Sequence, residues 1–332
     1  MENKKLRLDY LDYAKGLGII LVVLGHIYAY HPRIGRGHIV VWIYSFHMPL
    51  FFIISGMLMK HKNTNLTKKF FKSRVKGLVI PYVFFCLINS WVKMLLYGFN
   101  IKTLYLDIIY IITGIGVDMW FLQTLFFAEI FFAYINKIFN KESVKIGVIL
   151  VVFISGILIN KDTSLVCIYI TRITTSVGFI AIGYYLYDFI SNISINNKYL
   201  ILLLILQVIL ANNNGYVDLN NGVFNNIFLY VFNSILGSVI IVLFFKNTRL
   251  KLNILKFFGL NSLIIFGFHG NLIYLFRRFV TIALHGYLGG LILLTILMII
   301  QFPIIIVINK YLPFIIGKKY KVNYLNNVLS RN

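Results

Sequence analysis

Residues 289–312 read GGLILLTILMIIQFPIIIVINKYL and contain one charged side chain, Lys310. A run of about 18 or more apolar residues with few charges is typical of a transmembrane helix, because about 20 helical residues cross the hydrocarbon layer of a bilayer. Similar runs recur along the whole chain, which is 59% hydrophobic and 13% charged, whereas a soluble domain is about 25% charged. The sequence therefore predicts an all-α integral membrane protein.

The hydropathy pattern predicts about ten transmembrane helices. Their approximate ranges are 10–30, 38–59, 77–97, 119–139, 145–160, 169–188, 198–211, 225–245, 257–276 and 289–312. The apolar stretch 103–117 is predicted to lie in the membrane interface or to re-enter the membrane. Because ten spans of about 20 residues leave room only for short loops and two tails, residues 1–332 are expected to form one membrane domain without a separate soluble domain.

The net charge of +22 reflects Lys and Arg residues that cluster in short loops. On a soluble protein this charge would suggest nucleic-acid binding, but membrane proteins concentrate basic residues in their cytoplasmic loops. The clusters lie in residues 4–7, 60–76, 137–145, 246–256 and 318–331. With ten spans all five fall on one side, which predicts that both termini are cytoplasmic and that no nucleic acid is bound.

Few ionisable side chains lie within the predicted spans, and each is a functional candidate because burying a charge in lipid is costly. They are Asp12, Lys15, His26, His47, Glu129 and His269. Lys15 and His26 are eleven residues apart, which places both on one face of the first helix, about 16 Å apart along its axis. Asp12 can pair with Lys15. Alternatively, Lys15 is an interfacial anchor and His26 a core histidine bonded to a backbone carbonyl.

Three histidines and one carboxylate are predicted to share the outer half of the membrane, in a layer roughly 10 Å thick. They are His26, His47, Glu129 and His269. The layer could form a general-base site, a metal site or a proton path. No pair at a ligand spacing such as HExxH occurs, so no metal is expected. An imidazole accepts a proton from a hydroxyl at neutral pH, and Glu129 could orient it, which favours acyl transfer.

Two loops have compositions that suit ligands. The basic loop 60–76 contains Arg74 and Lys76, shortly before Pro81. It could serve topology alone, or bind the phosphates of a nucleotide-bearing donor such as coenzyme A. The loop 212–226, NNNGYVDLNNGVFNN, has no Lys or Arg and is rich in amides. Its amides and Tyr216 suit sugar hydroxyls, although Asn and Gly also simply form turns.

Five segments, in order along the chain, resemble the acyltransferase-3 family of bacterial membrane O-acyltransferases, which modify cell-surface polysaccharides and glycans. They are LDYAKGLGIILVVLGH (11–26), FHMPLFFIISGMLM (46–59), SRVKGLVIPY (73–82), MWFLQTLFFAEI (119–130) and GLNSLIIFGFHGNLI (259–273). In the family's opening motif a basic residue and a histidine are separated by ten others, as Lys15 and His26 are. Lys15 departs from the usual Arg, and Gly77 stands where another basic residue is often found.

The resemblance implies a multi-pass enzyme of the bacterial plasma membrane. It would move an acetyl or other short acyl group from acyl-coenzyme A, bound on the cytoplasmic side, to a hydroxyl of a cell-surface or lipid-linked glycan. The acyl-coenzyme A is a co-substrate, and no tightly bound cofactor is expected. His26 is the matched catalytic histidine, and Lys15, Glu129 and His47 are expected at the catalytic site with it.

The remaining site residues are also assigned by the resemblance. Arg74 and Lys76 are expected to contact the donor, while Trp120, His269 and Asn271 are expected on the acceptor side or in support. Membrane lipids and the glycan acceptor are the other expected partners. The alternative function is a proton-coupled transporter or flippase of a glycolipid, which would use the same histidines as a proton relay. Such a transporter would not consume acetyl-coenzyme A.

Overall fold

The computed structural model describes residues 8–29, 35–114, 119–159, 164–248, 251–283 and 286–318. Within these ranges the regular structure is helical, apart from an isolated antiparallel bridge between Asp218 and Val223. The all-α prediction is therefore confirmed. The basic tails 4–7 and 319–331, residues 115–117 of the stretch 103–117, and Arg249 lie outside the described residues.

Fourteen α-helices, one π-helical turn and one 3-10 turn make up the described chain. The α-helices are α1 (Asp9–Ala29), α2 (His38–Tyr44), α3 (His47–His61), α4 (Lys68–Arg74), α5 (Ile80–Tyr97), α6 (Ile101–Thr113), α7 (Trp120–Ile138), α8 (Glu142–Leu158), α9 (Leu165–Asn192), α10 (Asn197–Asn214), α11 (Ile227–Asn247), α12 (Asn253–Leu260), α13 (Ser262–Ala283) and α14 (Gly286–Tyr311). The π-helical turn Val75–Val79 joins α4 to α5, and the 3-10 turn Pro313–Ile316 follows α14.

Seven helical segments of the described chain are long and apolar enough to cross a membrane. They are Asp9–Ala29, His38–His61, Lys68–Leu96, Trp120–Ile138, Leu165–Asn192, Ile227–Asn247 and Gly286–Tyr311. The bent pair α12 and α13 makes an eighth if it counts as one span. Helices also occupy the predicted spans 145–160 and 198–211, but α8 has only 17 residues and α10 ends in Asn212 to Asn214. The count of ten and the cytoplasmic placement of both termini thus remain predictions.

The apolar stretch 103–117 forms helix α6 where it is described. The apolar part of this helix, Leu104–Thr113, is shorter than a span. Tyr82 of α5 donates a hydrogen bond from its hydroxyl to the carbonyl of Ile111 at 2.9 Å, and Ser90 donates to the carboxylate of Asp107 at 2.5 Å. These two bonds fix α6 against α5.

Within the predicted span 257–276 the helix breaks at Asn261 with a bend of 81°. The Asn261 side chain is buried and donates to the carbonyl of Phe257 at 2.8 Å. A side-chain donor of this kind can replace the backbone N–H that would bond this carbonyl in a continuous helix. Before the bend, Gly259 packs against the backbone oxygen of Asp12, where a Cβ would clash. Gly16 makes a similar contact with Leu255, so α12 and α1 touch backbone to backbone.

The predicted span 38–59 also contains a break, between α2 and α3 at Ser45 and Phe46. Pro49 lies in the first turn of α3 and has no N–H to donate to the Ser45 carbonyl four residues earlier. The hydroxyl of Ser234, from α11, donates to that carbonyl instead at 2.8 Å. The break thus leaves no unsatisfied backbone oxygen at Ser45, and it places Tyr44 and His47 on either side of the turn at Ser45 and Phe46.

The chain divides into two compact units, each made of two chain segments. The first unit comprises Met1–Thr67 and Phe127–Ser262, and the second comprises Lys68–Phe126 and Leu263–Asn332. Small residues bring helices of the first unit together, since Gly56 of α3 packs on the backbone of α9 and Gly183 of α9 packs on α3. Close approach at glycine is typical of helix packing in membranes.

Candidate functional site

Lys15 and Asp12 form an ion pair within α1, with 2.7 Å between Nζ and Oδ1. This confirms the predicted pairing. Asp12 is 3% exposed, and a charge at such a depth is stabilised only when it is paired. A second pair, between Asp9 and Lys256 at 2.6 Å, links α1 to α12. The charged end of α1 is therefore held rigidly against α12.

His26 lies eleven residues after Lys15 on the same unbroken helix. Its ring is half-buried, and its centroid lies 6.3 Å from that of Tyr44 on α2. Gly25 makes this approach feasible, because a Cβ at that position would lie 3.1 Å from Ile43 and 3.3 Å from the Tyr44 ring. The small residue beside the histidine thus sets the spacing between α1 and α2.

His47 is buried at the start of α3, and its Nδ1 lies 2.9 Å from the carbonyl oxygen of Ile43. Because a carbonyl only accepts hydrogen bonds, Nδ1 carries the proton, and in the neutral ring Nε2 then has the free lone pair. The Tyr44 ring centroid is 4.8 Å from that of His47. Tyr44 therefore contacts both histidines of the first unit's predicted site.

A buried hydrogen-bond network holds the turn that carries Tyr44 and His47. The indole of Trp42 donates to Oε1 of Gln207 at 2.6 Å, and Nε2 of Gln207 donates to the Ser45 hydroxyl at 2.9 Å. The Ser45 hydroxyl in turn donates to the carbonyl of Trp42 at 2.7 Å. Gln207, from α10, is fully buried. It uses both ends of its amide to close the network.

The α10–α11 loop, residues 215–226, places Tyr216 on Tyr44 with 5.2 Å between ring centroids. The guanidinium of Arg36 lies 4.2 Å from the Tyr216 ring centroid. The loop is ordered by its own amides. Asn225 donates to the carbonyls of Asn214 and Tyr216 at 2.8 and 2.9 Å. This loop therefore presents a fixed aromatic side chain to the histidine site.

Asp218 organises the rest of the same loop. Its Oδ1 accepts from the backbone N–H of Asn220 at 2.9 Å, and its Oδ2 accepts from the Asn221 amide at 2.7 Å. Its backbone exchanges two hydrogen bonds with Val223, at 2.7 and 2.8 Å. The sequence left open whether these residues form turns or suit a ligand. The structure shows that the turn is real and that it brings Tyr216 to the site.

Glu129 is 1% exposed and accepts a hydrogen bond from the hydroxyl of Ser55 on α3. Ser55 follows His47 by eight residues on the same helix, a rise of about 12 Å. The structure thus places the carboxylate beside α3, two turns along the helix from His47.

Of the predicted donor residues, Arg74 directly precedes the π-helical turn of the second unit and Lys76 lies within it. Pro81 would clash with the carbonyl four residues earlier in an α-helix, and the wider turn Val75–Val79 relieves this clash. Arg74 is half-buried, with its guanidinium 5.3 Å from the Phe70 ring, while Lys76 is exposed. Gly317 (φ +67°) packs on the carbonyl of Lys76.

A line of aromatic contacts links two of the three predicted supporting residues of the second unit. Trp120 contacts Phe121, Phe121 contacts Phe266, and Phe266 stacks on His269, with centroid distances of 6.3, 5.7 and 5.5 Å. Nδ1 of His269 donates to the Phe266 carbonyl at 2.7 Å. The third predicted residue, Asn271, donates to the side chain of Asn89 on α5 at 2.7 Å.

Sequence reasoning missed Tyr44, Arg36 and Gln207. Tyr44 gave no signal, because a tyrosine in an apolar run is ordinary. Gln207 offered a weak one, since a lone amide within a short apolar run must find partners inside the protein. Among the described residues, no group of three His, Cys, Asp or Glu side chains is arranged to hold a metal ion.

The apolar helices of span length define a multi-pass membrane protein. A family model described as an acyltransferase domain matches residues 8–316. The chain therefore belongs to the acyltransferase-3 family, as the five motifs predicted.

Two curated relatives share part of this sequence. The chain is 32% identical over 143 residues to nodulation protein NolL of Mesorhizobium japonicum. The aligned segment covers 40% of this chain and 37% of the relative. It is 38% identical over 91 residues to nodulation protein NolL of Sinorhizobium fredii. That aligned segment covers 25% of this chain and 24% of the relative. The chain thus spans well under half the length of these relatives. No solved structure matches it.

Proposed function

We propose that the protein is a membrane-bound O-acyltransferase of the bacterial plasma membrane. It transfers an acetyl or other short acyl group from acyl-coenzyme A to a hydroxyl of a cell-surface or lipid-linked glycan. The observation that carries the proposal is the contact of Tyr44 with both His26 and His47, in a chain of the acyltransferase-3 family. The donor is taken up on the cytoplasmic side, where the basic loop 60–76 is predicted to lie.

His26 is the general base of the proposed reaction. Its imidazole accepts the proton of the acceptor hydroxyl while the hydroxyl oxygen attacks the thioester carbonyl. The carbon–sulfur bond then breaks, and the departing thiolate takes up the proton to give free coenzyme A and the O-acyl ester. His26 is half-buried, so its ring combines access for a substrate with a fixed position on α1.

Lys15 is assigned to the donor because it shares a helix face with His26. The separation of about 16 Å along α1 is comparable with the extended pantetheine arm that joins the thioester of coenzyme A to its phosphates. A phosphate near Lys15 would thus leave the thioester near His26. Arg74 and Lys76 are proposed phosphate contacts because of the positive charge of the basic loop 60–76.

His47 and Glu129 have supporting roles in the proposal. Nε2 of His47 is the acceptor nitrogen of a neutral ring, since Nδ1 donates to Ile43, and it can receive a hydrogen bond from the substrate. Glu129 is assigned a positioning role for α3 through its hydrogen bond with Ser55, which lies about 12 Å along that helix from His47. Trp120, His269 and Asn271 are assigned a supporting role by the family motifs.

The test uses cells with and without the gene, and mass spectrometry of their surface glycans. Wild-type protein should add an acyl ester that the deletion strain lacks. His26→Gln should abolish it at equal protein level, because a general base contributes about 10²–10⁴-fold in rate and an amide cannot take the proton. His61→Gln is the matched control. His61 is the last residue of α3, at the opposite end of the helix from His47, and is hydrogen-bonded to Tyr187. Activity of His26→Gln within a few-fold of wild type would end the general-base proposal.

A second assay, with purified protein, separates the transporter alternative. A proton-coupled flippase would change the amount of glycolipid that reaches the surface without consuming acetyl-coenzyme A. Wild-type protein in lipid nanodiscs, supplied with acetyl-coenzyme A and glycan from the deletion strain, should release free coenzyme A. No release above the rate without glycan would favour the transporter.

A further inference from the structure

The aromatic side chains at the histidine site form one continuous surface. The Tyr44 ring lies near those of His26, His47 and Tyr216. Arg36 covers part of the Tyr216 ring. The surface thus runs from the catalytic histidine of the proposed function to a loop rich in amides and a carboxylate.

This surface is open, unlike the core beside it. His26, Tyr44 and Tyr216 each keep part of their area accessible, and Arg36 is exposed. Their chain neighbours Ile43 and Phe46 are almost wholly buried. An aromatic ring that served only to pack the loop on the helices would be expected to bury its faces in the same way. The partial exposure of three adjacent rings instead leaves room for an occupant.

The parts that surround the open rings are fixed before any ligand arrives. The backbone of the α10–α11 loop is tied by Asn225 and Asp218, and His38 of α2 is joined to Asn212 at the end of α10 by a contact of 2.6 Å. A preformed site of rigid aromatic side chains with a few polar groups is typical of small-ligand binding. It costs little conformational entropy when the ligand binds.

We propose that Tyr44 and Tyr216 form the binding surface for a sugar ring of the acceptor, a site that rests on the proposed function. A sugar ring has one face of C–H groups, which pack on aromatic rings, and a rim of hydroxyls, which need hydrogen-bond partners. Tyr44 and Tyr216 take the C–H face. Arg36 donates to oxygens of the rim, and Asp218 accepts from its hydroxyls. A hydroxyl at the edge nearest Tyr44 is then presented to His26.

The test measures initial rates in lipid nanodiscs with radiolabelled acetyl-coenzyme A and the surface glycan fraction from the deletion strain as acceptor. Tyr216→Leu keeps an apolar side chain but removes the ring, so the apparent KM for the glycan fraction should rise about tenfold, while the KM for acetyl-coenzyme A stays within about twofold. Tyr216→Phe should restore the acceptor KM, because it keeps the ring, and the contact of the Tyr216 hydroxyl with Asp218 at 3.4 Å is weak.

Tyr199→Leu is the matched control, because Tyr199 is 61% exposed on α10 and lies outside the surface. It should show wild-type kinetics. Acceptor KM values for Tyr216→Leu equal to those of wild type, or a fall in kcat with an unchanged acceptor KM, overturn the sugar site while leaving the acyltransferase intact. Failure of the wild-type protein itself to label the glycan would instead reject the proposed function.

Discussion

The indole N–H of Trp42 and the side-chain oxygen of Gln207 are joined by a hydrogen bond of 2.6 Å, although 165 residues separate them along the chain. Gln207 also donates a hydrogen bond to the hydroxyl of Ser45, which lies at the break between α2 and α3. Tyr44 and His47 flank that break. The orientation of both site residues therefore depends on an amide in α10.

Replacing Gln207 with Leu should destabilise the protein and impair the reaction. The indole N–H would lose its partner, and a buried polar group without one costs about 1–3 kcal/mol. We expect a lower thermal unfolding midpoint in detergent and a lower kcat for acyl transfer. The double variant with Trp42→Phe should lose less stability than the two single variants together, because both partners are then absent. Strict additivity would show that the bond contributes nothing.

Replacing Arg74 and Lys76 with Gln should raise the apparent KM for acetyl-coenzyme A. Each lost charged contact to phosphate is worth about 1.5–3 kcal/mol, so an increase of roughly tenfold or more is expected for each contact. Lys198→Gln, at an exposed position at the start of α10, is the control for a general effect of removing positive charge. Unchanged donor kinetics in well-folded protein would leave these residues with a role in topology alone.

Cysteine labelling should locate the basic loop on the cytoplasmic side. With Cys86 and Cys167 replaced by Ser, single cysteines at the exposed positions Lys72 and Asn213 can be probed in intact cells with an impermeant maleimide. We expect Lys72→Cys to be protected and Asn213→Cys to react. The opposite pattern would reverse the predicted orientation.

Gly259→Ala should lower the unfolding midpoint, because its Cβ would strike the backbone oxygen of Asp12. Overpacking of this kind typically costs about 1–3 kcal/mol, and here it would also push α12 away from the Lys15–Asp12 pair. Gly147→Ala is the matched control, since nothing lies within 4 Å of a Cβ there. If both variants unfold at the wild-type temperature, α1 and α12 are not held by close contact at Gly259.

The sequence by itself determined the class of structure and part of the site. Hydropathy depends on each residue's own transfer from water to lipid, so each predicted span coincides largely with helix in the described part of the chain. The shared face of Lys15 and His26 and the Lys15–Asp12 pair follow from helix geometry alone. The five motifs placed the chain in its family.

Only the tertiary structure decided the breaks at Ser45 and Asn261 and the contact of Tyr44 with Tyr216. Both breaks lie in apolar runs. Hydropathy does not predict whether a helix continues through such a run, because a break is stabilised by partners from other helices, such as Ser234. Tyr44 and Tyr216 come from distant parts of the chain. In a membrane protein an apolar or aromatic residue suits lipid and protein contacts equally, so the sequence does not predict which of the two contacts the residue makes.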